Sequence, residues 1–91
     1  MLQGLVRISV SIPAVEGEST LKGQTLGLTL SLSETVKSVK ERIAGEVALA
    51  ANKQKLSSRH GFLKDNLSLA YYNIGPADTL TLGLKERGGR R

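Results

Sequence analysis

The sequence contains no cysteine and no tryptophan, and its only histidine is His60. Without cysteine the chain can form neither a disulfide framework nor a thiolate metal site, and one histidine cannot supply the several imidazoles of a zinc site. No apolar run approaches the roughly 20 residues of a membrane-spanning helix, and the N-terminus lacks the pattern of a signal peptide. We therefore expect a soluble intracellular domain with no membrane partner.

Groups suited to catalysis are equally scarce. There is no cysteine nucleophile and no second histidine, and the carboxylates of Asp65 and Glu86 have no evident partner in the sequence. The glycine-rich pieces are not phosphate-binding loops, because no strand–glycine–helix order surrounds them. The sequence thus predicts a domain that is not an enzyme and needs no cofactor.

Charge is distributed unevenly along the 91 residues. The chain has 13 Lys and Arg against 8 Asp and Glu, which gives a net charge of +5. Residues 1–50 hold five basic and five acidic side chains, whereas residues 51–91 hold eight basic and three acidic ones. The whole excess of 8 − 3 = +5 therefore lies in the second half, and it indicates an anionic partner such as nucleic acid.

Apolar residues alternate with polar ones in several segments, which is the period of a half-buried β-strand. The sequence predicts strands at residues 6–12, 26–32, 53–58 and 79–84. The segment between the first two, residues 14–23, is typical of a polar hairpin loop. Residues 68–73 are predicted to form a short helical turn, and His60 is predicted to lie in a turn.

One segment has helical spacing, since Val36, Val39, Ile43 and Val47 recur at steps of three and four. Ser33 or Thr35 can cap this helix, and Gly45 is expected to weaken it without ending it. Lys37, Lys40, Glu41 and Arg42 are predicted to lie on its solvated side.

A single helix must cover the apolar face of a sheet, because neither element can bury its apolar side alone. The order β-β-α-β-β therefore predicts an α+β roll of the β-grasp kind, with a mixed sheet packed on one helix. We place this domain at residues 1–86. Residues 87–91 contain nothing apolar to bury, so they are predicted to form a flexible, disordered basic tail.

The last third of the chain resembles ubiquitin. The resemblance rests on the segments Leu69-Ala70-Tyr71-Tyr72-Asn73-Ile74, Asp78-Thr79-Leu80-Thr81-Leu82 and Arg87-Gly88-Gly89. From Thr35 to Gly89 the two sequences align without a gap, whereas the loop at residues 14–23 is longer here. This resemblance implies the ubiquitin-like form of the β-grasp fold.

A more specific resemblance rests on Lys53-Gln54-Lys55-Leu56, on Phe62 and Lys64-Asp65, on Ser68-Leu69-Ala70-Tyr71-Tyr72-Asn73 and on Leu84-Lys85-Glu86-Arg87-Gly88-Gly89-Arg90. In these segments the chain is similar to the C-terminal ubiquitin-like domains of the largest subunit of splicing factor 3a, a component of the U2 small nuclear ribonucleoprotein. The resemblance implies a nuclear, non-catalytic domain that binds stem-loop 4 of the U1 small nuclear RNA in early spliceosome assembly. It also implies contacts with other splicing-factor subunits through the parent chain, and the isolated domain is expected to be monomeric.

The sequence departs from those domains in two places. Ser57, Ser58 and Arg59 stand where the family has an apolar or aromatic residue after its Lys-Leu pair. The chain ends in Arg90-Arg91, where the family has an arginine followed by lysines. Both changes keep the charge, so the expectation of RNA binding stands while the individual contacts change.

The basic residues of the second half are expected to form one surface. Lys53 and Lys55 lie two positions apart on a predicted strand and so point to the same solvated face. Lys64 follows in a loop, and Lys85 closes the last strand, which in a β-grasp fold lies beside the strand of Lys55. Each lysine placed on a phosphate releases condensed counterions and so favours nucleic-acid binding.

The few aromatic residues and the tail complete the predicted interface. Tyr71 and Phe62 fall where ubiquitin has polar residues, so both are expected to be exposed and available for stacking. Tyr72 matches the tyrosine that ubiquitin tucks against its own loop, and it is either structural or in contact with RNA. In the tail, arginines donate in a planar fork, and glycines allow close backbone approach. The predicted RNA-binding residues are Lys53, Lys55, Phe62, Lys64, Tyr71, Tyr72, Lys85, Arg87, Gly88, Gly89, Arg90 and Arg91.

Two other roles known for ubiquitin-like proteins compete with RNA binding. Conjugation to lysine needs a free glycine carboxylate, but Gly88-Gly89 is followed by Arg90-Arg91, so the chain would first have to be trimmed. A protein–protein adaptor would dock through the apolar patch of ubiquitin. That patch corresponds to Ser57, Thr81 and Gly83, which supply little apolar area. The adaptor role remains the alternative to RNA binding.

Overall fold

The computed structural model describes residues 5–76 and 78–85 of the chain. A five-stranded mixed sheet with the strand order β2-β1-β5-β3-β4 packs on one helix. The strands are β1 (Val6–Ser11), β2 (Thr25–Leu30), β3 (Gln54–Ser58), β4 (Gly61–Phe62) and β5 (Thr79–Leu84). The helix is α1 (Val36–Ala44), and a 3₁₀ turn covers Ala51–Lys53.

The sheet follows the apolar alternation of the sequence. β1 pairs antiparallel with β2 and parallel with β5, which places Val10 beside Leu80. β5 pairs antiparallel with β3, which places Leu82 beside Leu56. Most inward-facing residues of these four strands are buried, as the period of two requires, whereas Val6 and Leu26 are half-buried and Leu84 at the end of β5 is exposed. The predicted β-grasp roll with a mixed sheet is confirmed.

Helix α1 begins where the sequence predicts and ends earlier. Thr35 is its N-cap, and the Thr35 hydroxyl accepts a hydrogen bond from the Ser38 N–H (3.2 Å). Gly45 is its C-cap, so the prediction that this glycine would not end the helix is wrong. Glycine loses more backbone entropy than other residues on entering a helix, which favours termination there. Val47 lies beyond the end of the helix but is still buried, as the helical spacing predicts. Its N–H donates to the Ile43 carbonyl (2.9 Å).

The loop between β1 and β2 is more than the polar connection that the sequence predicts. Leu21 is buried in the core, and Ala14 forms an isolated bridge with Lys22 across the loop. The predicted helical turn is present at residues 69–73, where the Tyr72 and Asn73 N–H groups bond to the carbonyls of Leu69 and Ala70. The core also takes in Leu63, Leu69 and Ile74 from the segment that follows β4.

Several expectations concern residues outside the described ranges. Glu86, the tail at residues 87–91 and the boundary between them belong to this group. Within residues 5–76 and 78–85, no helix is long and apolar enough to cross a membrane. The same ranges hold no group of three or more acidic or histidine side chains placed to bind a metal ion.

Glu34 ties the start of α1 to its last turn. Its carboxylate accepts hydrogen bonds from the Ser38 hydroxyl (2.7 Å) and from the Arg42 guanidinium (3.1 and 3.2 Å). The hydrogen bond from Ser38 lowers the pKa of Glu34 below its ordinary value of 4.5, burial opposes that change, and Arg42 adds to it. The ionised carboxylate is therefore stabilised in the folded state.

This network predicts how stability depends on pH. A carboxyl with a lower pKa in the folded state stabilises the fold fully above its unfolded pKa, and that contribution is lost as the pH falls through the folded value. Free energies of unfolding, measured by urea titration, should therefore decrease as the pH falls below 4.5. Glu34→Gln should flatten this decrease, whereas Glu41→Gln, at an exposed position on the same helix, should keep it. Identical pH profiles for the two variants would contradict the prediction.

Candidate nucleic-acid interface

Lys55 and Phe62 meet at the edge of the sheet. A tight turn joins β3 to β4, with Gly61 at a positive φ of 107° that favours glycine. The turn pairs Phe62 with Ser57, two residues after Lys55, and the Lys55 Nζ lies 4.8 Å from the centroid of the Phe62 ring. A cation at this distance is attracted to the face of an aromatic ring. Phe62 is 68% exposed, which confirms the predicted exposure and leaves the ring available to a ligand.

Two further lysines lie with this pair. Lys55, Phe62, Lys64 and Lys85 line one open groove, which we call the basic groove. Lys85 is held there because its backbone N–H donates to the Lys53 carbonyl (2.8 Å), which continues the pairing of β5 with β3. The predicted proximity of Lys85 to the strand of Lys55 is therefore confirmed, and Lys64 joins them from the loop that follows β4.

Lys53 occupies a different position from the one predicted. It ends the 3₁₀ turn Ala51–Lys53, and β3 begins only at Gln54, so Lys53 and Lys55 do not share a strand. Both residues are exposed, and between them Gln54 is fully buried. Lys53 lines a neighbouring cavity together with Lys85, so it extends the basic surface beyond the basic groove.

The groove also contains an ion pair that the sequence did not reveal. Lys40 Nζ lies 2.6 Å from the Asp65 carboxylate, and Lys40 is only 6% exposed. The predictions that Lys40 lies on the solvated side of the helix and that Asp65 lacks a partner are both wrong. The long lysine stem packs along the core while its ammonium reaches the loop, which helical spacing alone does not reveal.

Gln54 is a further residue whose role the sequence did not reveal. Its amide donates to the carbonyls of Lys40 (2.9 Å) and Leu49 (3.0 Å), and so joins β3 to the middle of α1 and to the segment that follows the helix. Within the described residues, its Oε1 atom is buried without a hydrogen-bond partner. The period of two with Leu56 was the available signal that Gln54 faces inward.

The two tyrosines differ in their surroundings. The Tyr72 hydroxyl accepts a hydrogen bond from the backbone N–H of Lys64 (2.8 Å), and its half-buried ring packs against the core. This is the loop contact expected of the structural alternative for Tyr72. Tyr71 is 68% exposed, as predicted, and its ring meets that of Tyr72 edge to face with centroids 5.3 Å apart. A contact of either ring with RNA stays a prediction.

The remaining candidates lie away from the basic groove or outside the described ranges. Arg59 pairs with Asp78 (3.3 Å), so its charge is partly balanced. Ser57 and Thr81 are partners across β3 and β5, and Gly83 faces Lys55, which leaves only small side chains at the positions of the apolar patch of ubiquitin. His60 lies in the β3–β4 turn, as predicted. The tail candidates outside the described residues are Arg87, Gly88, Gly89, Arg90 and Arg91.

Comparison with known proteins agrees with this architecture. The sequence matches the ubiquitin family over residues 19–87. The chain belongs to the ubiquitin family. This ubiquitin-like chain is also similar to a solution structure of the ubiquitin-like domain in a splicing factor. The two share 53% sequence identity and a TM-score of 0.76, over 94% of this chain and 74% of that one. A design based on ubiquitin has a TM-score of 0.77 at 20% identity, covers 99% of this chain and 100% of its own, and so supports the fold alone.

Curated relatives give the more specific likeness. The probable splicing factor 3A subunit 1 of Arabidopsis thaliana is 61% identical over 70 residues, which are 76% of this ubiquitin-like chain. The splicing factor 3A subunit 1 of Homo sapiens is 41% identical over 91 residues, or 98% of the chain. The chain spans only 9% and 12% of the length of these two relatives. The predicted resemblance to the ubiquitin-like domain of this subunit is confirmed.

The contact of Tyr72 leads to a prediction about stability. Tyr72→Phe removes the hydroxyl that accepts from the Lys64 N–H and keeps the packed ring. It should therefore lower the free energy of unfolding by about 1 kcal/mol, the usual net value of one hydrogen bond. Tyr71→Phe is the matched control and should leave stability unchanged, because the Tyr71 ring is exposed. Urea unfolding of both variants checks this, and equal stabilities would contradict the structural role.

Proposed function

We propose that this ubiquitin-like domain is a non-catalytic RNA-binding module of a pre-mRNA splicing factor, and that its ligand is a structured RNA stem-loop. The observation that carries the proposal is the basic groove, in which Lys55, Lys64 and Lys85 converge beside the exposed ring of Phe62. Lysines supply the salt-dependent affinity for phosphates, and an exposed aromatic ring supplies a stacking surface for a base or a contact with a sugar.

The interface residues divide by chemistry. Lys53, Lys55, Lys64 and Lys85 hold the phosphate backbone, because an ammonium is a compact point charge with three donors. Phe62 and Tyr71 contact bases or sugars. Tyr72 positions them indirectly, because its ring packs edge to face against Tyr71 and its hydroxyl accepts from the Lys64 N–H. This division predicts that the lysines set affinity and the aromatic rings set the preference for a loop or stem shape.

The tail is proposed to act beside the groove. Only Glu86 separates Lys85 from Arg87 in the sequence, and Arg90 and Arg91 come shortly after. The major groove of an A-form helix is deep and narrow, and folded elements cannot enter it. A thin segment with Gly88 and Gly89 can approach closely, and its arginines can donate to phosphates and guanine edges.

The similarity to splicing factor 3A subunit 1 supports the proposed RNA ligand and the proposed role in splicing. By that resemblance we propose stem-loop 4 of the U1 small nuclear RNA as the RNA, with the domain acting in the nucleus during early spliceosome assembly. The remainder of a longer parent chain in the U2 small nuclear ribonucleoprotein would contact the other splicing-factor subunits. The isolated domain is proposed to be monomeric.

A titration followed by NMR tests this function against the adaptor alternative. A short RNA stem-loop should shift the amide signals of Lys55, Phe62, Lys64 and Tyr71, whereas an unstructured RNA of the same length should shift them less. A ubiquitin-receptor domain should leave Ser57, Thr81 and Gly83 unshifted, because these positions offer little apolar area. Shifts centred on those three positions with the receptor, and none with the stem-loop, would favour the protein–protein adaptor and refute the RNA proposal.

The lysines should also determine the salt dependence of binding. Replacing both Lys55 and Lys64 by Ala should reduce the magnitude of the slope of log K against log salt by about 0.7 to 0.9 for each phosphate that the variant no longer neutralises. The affinity for all RNA sequences should fall together, because phosphate contacts carry no sequence information. Lys37→Ala, an exposed lysine on α1 outside the basic groove, is the control and should keep the slope. An unchanged slope in the double variant would remove both lysines from the interface.

A further inference from the structure

The cavity that Lys53 and Lys85 line lies next to the basic groove, at the end of the sheet where β5 ends. It has a volume of about 230 Å³ and mostly apolar walls, and its lining includes three charged side chains. Lys53 and Lys85 are two of these, and Glu18 is the third. The apolar walls are formed by Val15, Leu21, Ala48, Leu49 and Leu84.

The loop between β1 and β2 builds one side of this cavity. The Val15 N–H donates to the Leu21 carbonyl (2.8 Å), and the Glu18 N–H donates to the Val15 carbonyl (3.1 Å). The hydroxyl of Thr20 accepts from the Ala48 N–H (2.8 Å), which ties the loop to the segment after α1. The match to the ubiquitin family begins at residue 19, so Val15 and Glu18 come from a part of the chain outside that match.

The cavity and the basic groove share a residue, because Lys85 lines both of them. A polynucleotide held by Lys55 and Lys85 therefore passes the mouth of the cavity. Glu18 is unexpected there, since a carboxylate repels phosphates. A carboxylate does accept hydrogen bonds from the amino groups of cytosine, adenine and guanine, and apolar side chains pack against the faces of an unstacked base.

We propose that this cavity is a subsite for one unpaired nucleobase that carries an exocyclic amino group. The inference rests on the proposed function and deepens it, because it assigns a place to a single base from the loop of the bound RNA. The base lies against the apolar walls, its amino group donates to Glu18, and its phosphate lies near Lys53 or Lys85. An apolar side chain of a partner protein would also fit the walls, but the shared Lys85 favours RNA.

Two mononucleotides that differ only at the Watson–Crick edge of the base test the chemistry. Cytidine 5′-monophosphate and uridine 5′-monophosphate are nearly equal in shape, but cytidine has an exocyclic amino group where uridine has a carbonyl oxygen, which a carboxylate repels. The ring N3 accepts a hydrogen bond in cytidine and donates one in uridine. In NMR titrations of the 91-residue chain, the cytidine nucleotide should shift the amides of Val15, Leu21, Ala48 and Leu49. It should bind at least about fivefold more tightly than the uridine nucleotide.

Matched variants separate the base subsite from general charge. Glu18→Gln should bring the preference for the cytidine nucleotide close to onefold, because an amide can also donate to the carbonyl of uracil. Glu16→Gln makes the same charge change at an exposed loop position outside the cavity and should keep the preference. Ala48→Leu should fill the cavity and abolish the shifts, whereas Ala50→Leu, which does not line it, should preserve them. Thermal unfolding of each variant checks that the fold is retained.

The stem-loop titration makes the two proposals separable. Binding of the stem-loop together with the cytidine preference and its loss in Glu18→Gln would support the subsite. Binding of the stem-loop with equal affinity for both nucleotides, or with no shifts around the cavity, would overturn the subsite and leave the proposed function intact. Shifts of the same amides with the acidic peptide Asp-Leu-Asp but not with cytidine monophosphate would assign the cavity to a protein partner and also overturn it. Failure of the wild type to bind the stem-loop would overturn both proposals.

Discussion

The position of β5 between β1 and β3 is the constraint on which the rest of the molecule depends. Its parallel pairing with β1 joins the first and last strands, and its antiparallel pairing with β3 places Lys85 beside the segment of Lys53 and Lys55. Leu80 and Leu82 are buried on the helix side, so the strand is held by apolar burial as well as by its backbone hydrogen bonds. The basic groove and the neighbouring cavity both form where this strand ends.

The lysines around the basic groove are of two kinds, one buried in an ion pair and the others exposed. Asp65 sits among lysines, and its bond to the buried Lys40 means that this lysine is structural and not free for a ligand. A buried ammonium without its carboxylate would carry a large desolvation cost. The lysines left for binding are therefore the exposed ones, which can exchange water for phosphate without disturbing the core. Of the described lysines around the basic groove, only the exposed Lys53, Lys55, Lys64 and Lys85 are therefore free to contact a ligand.

Much of the fold could be predicted because periodicity reports which side of a strand or helix is buried. The four main strands, a helix cap at either Ser33 or Thr35, and the exposure of Phe62 and Tyr71 followed from spacing and alignment. Lys40, Asp65 and Lys53 did not, since a pair 25 residues apart depends on tertiary packing, and the start of β3 depends on where a 3₁₀ turn ends. The burial of Leu21 was not predicted, because Val15 and Leu21 are too far apart in a mostly polar segment to establish a periodicity. The tail residues of the predicted site lie outside the described ranges, so their role stays a prediction.

The shortness of β4 has a consequence for how the domain behaves at high concentration. With only Gly61 and Phe62 in this strand, the edge of the sheet next to the basic groove presents too few backbone groups to template a strand from another molecule. An aromatic ring on a long, flat edge would invite association between copies of the chain. Here the ring lies on a two-residue strand flanked by lysines, and like charges on two copies of this edge repel each other. At this side of the sheet the ring is thus exposed without a long free backbone edge beside it.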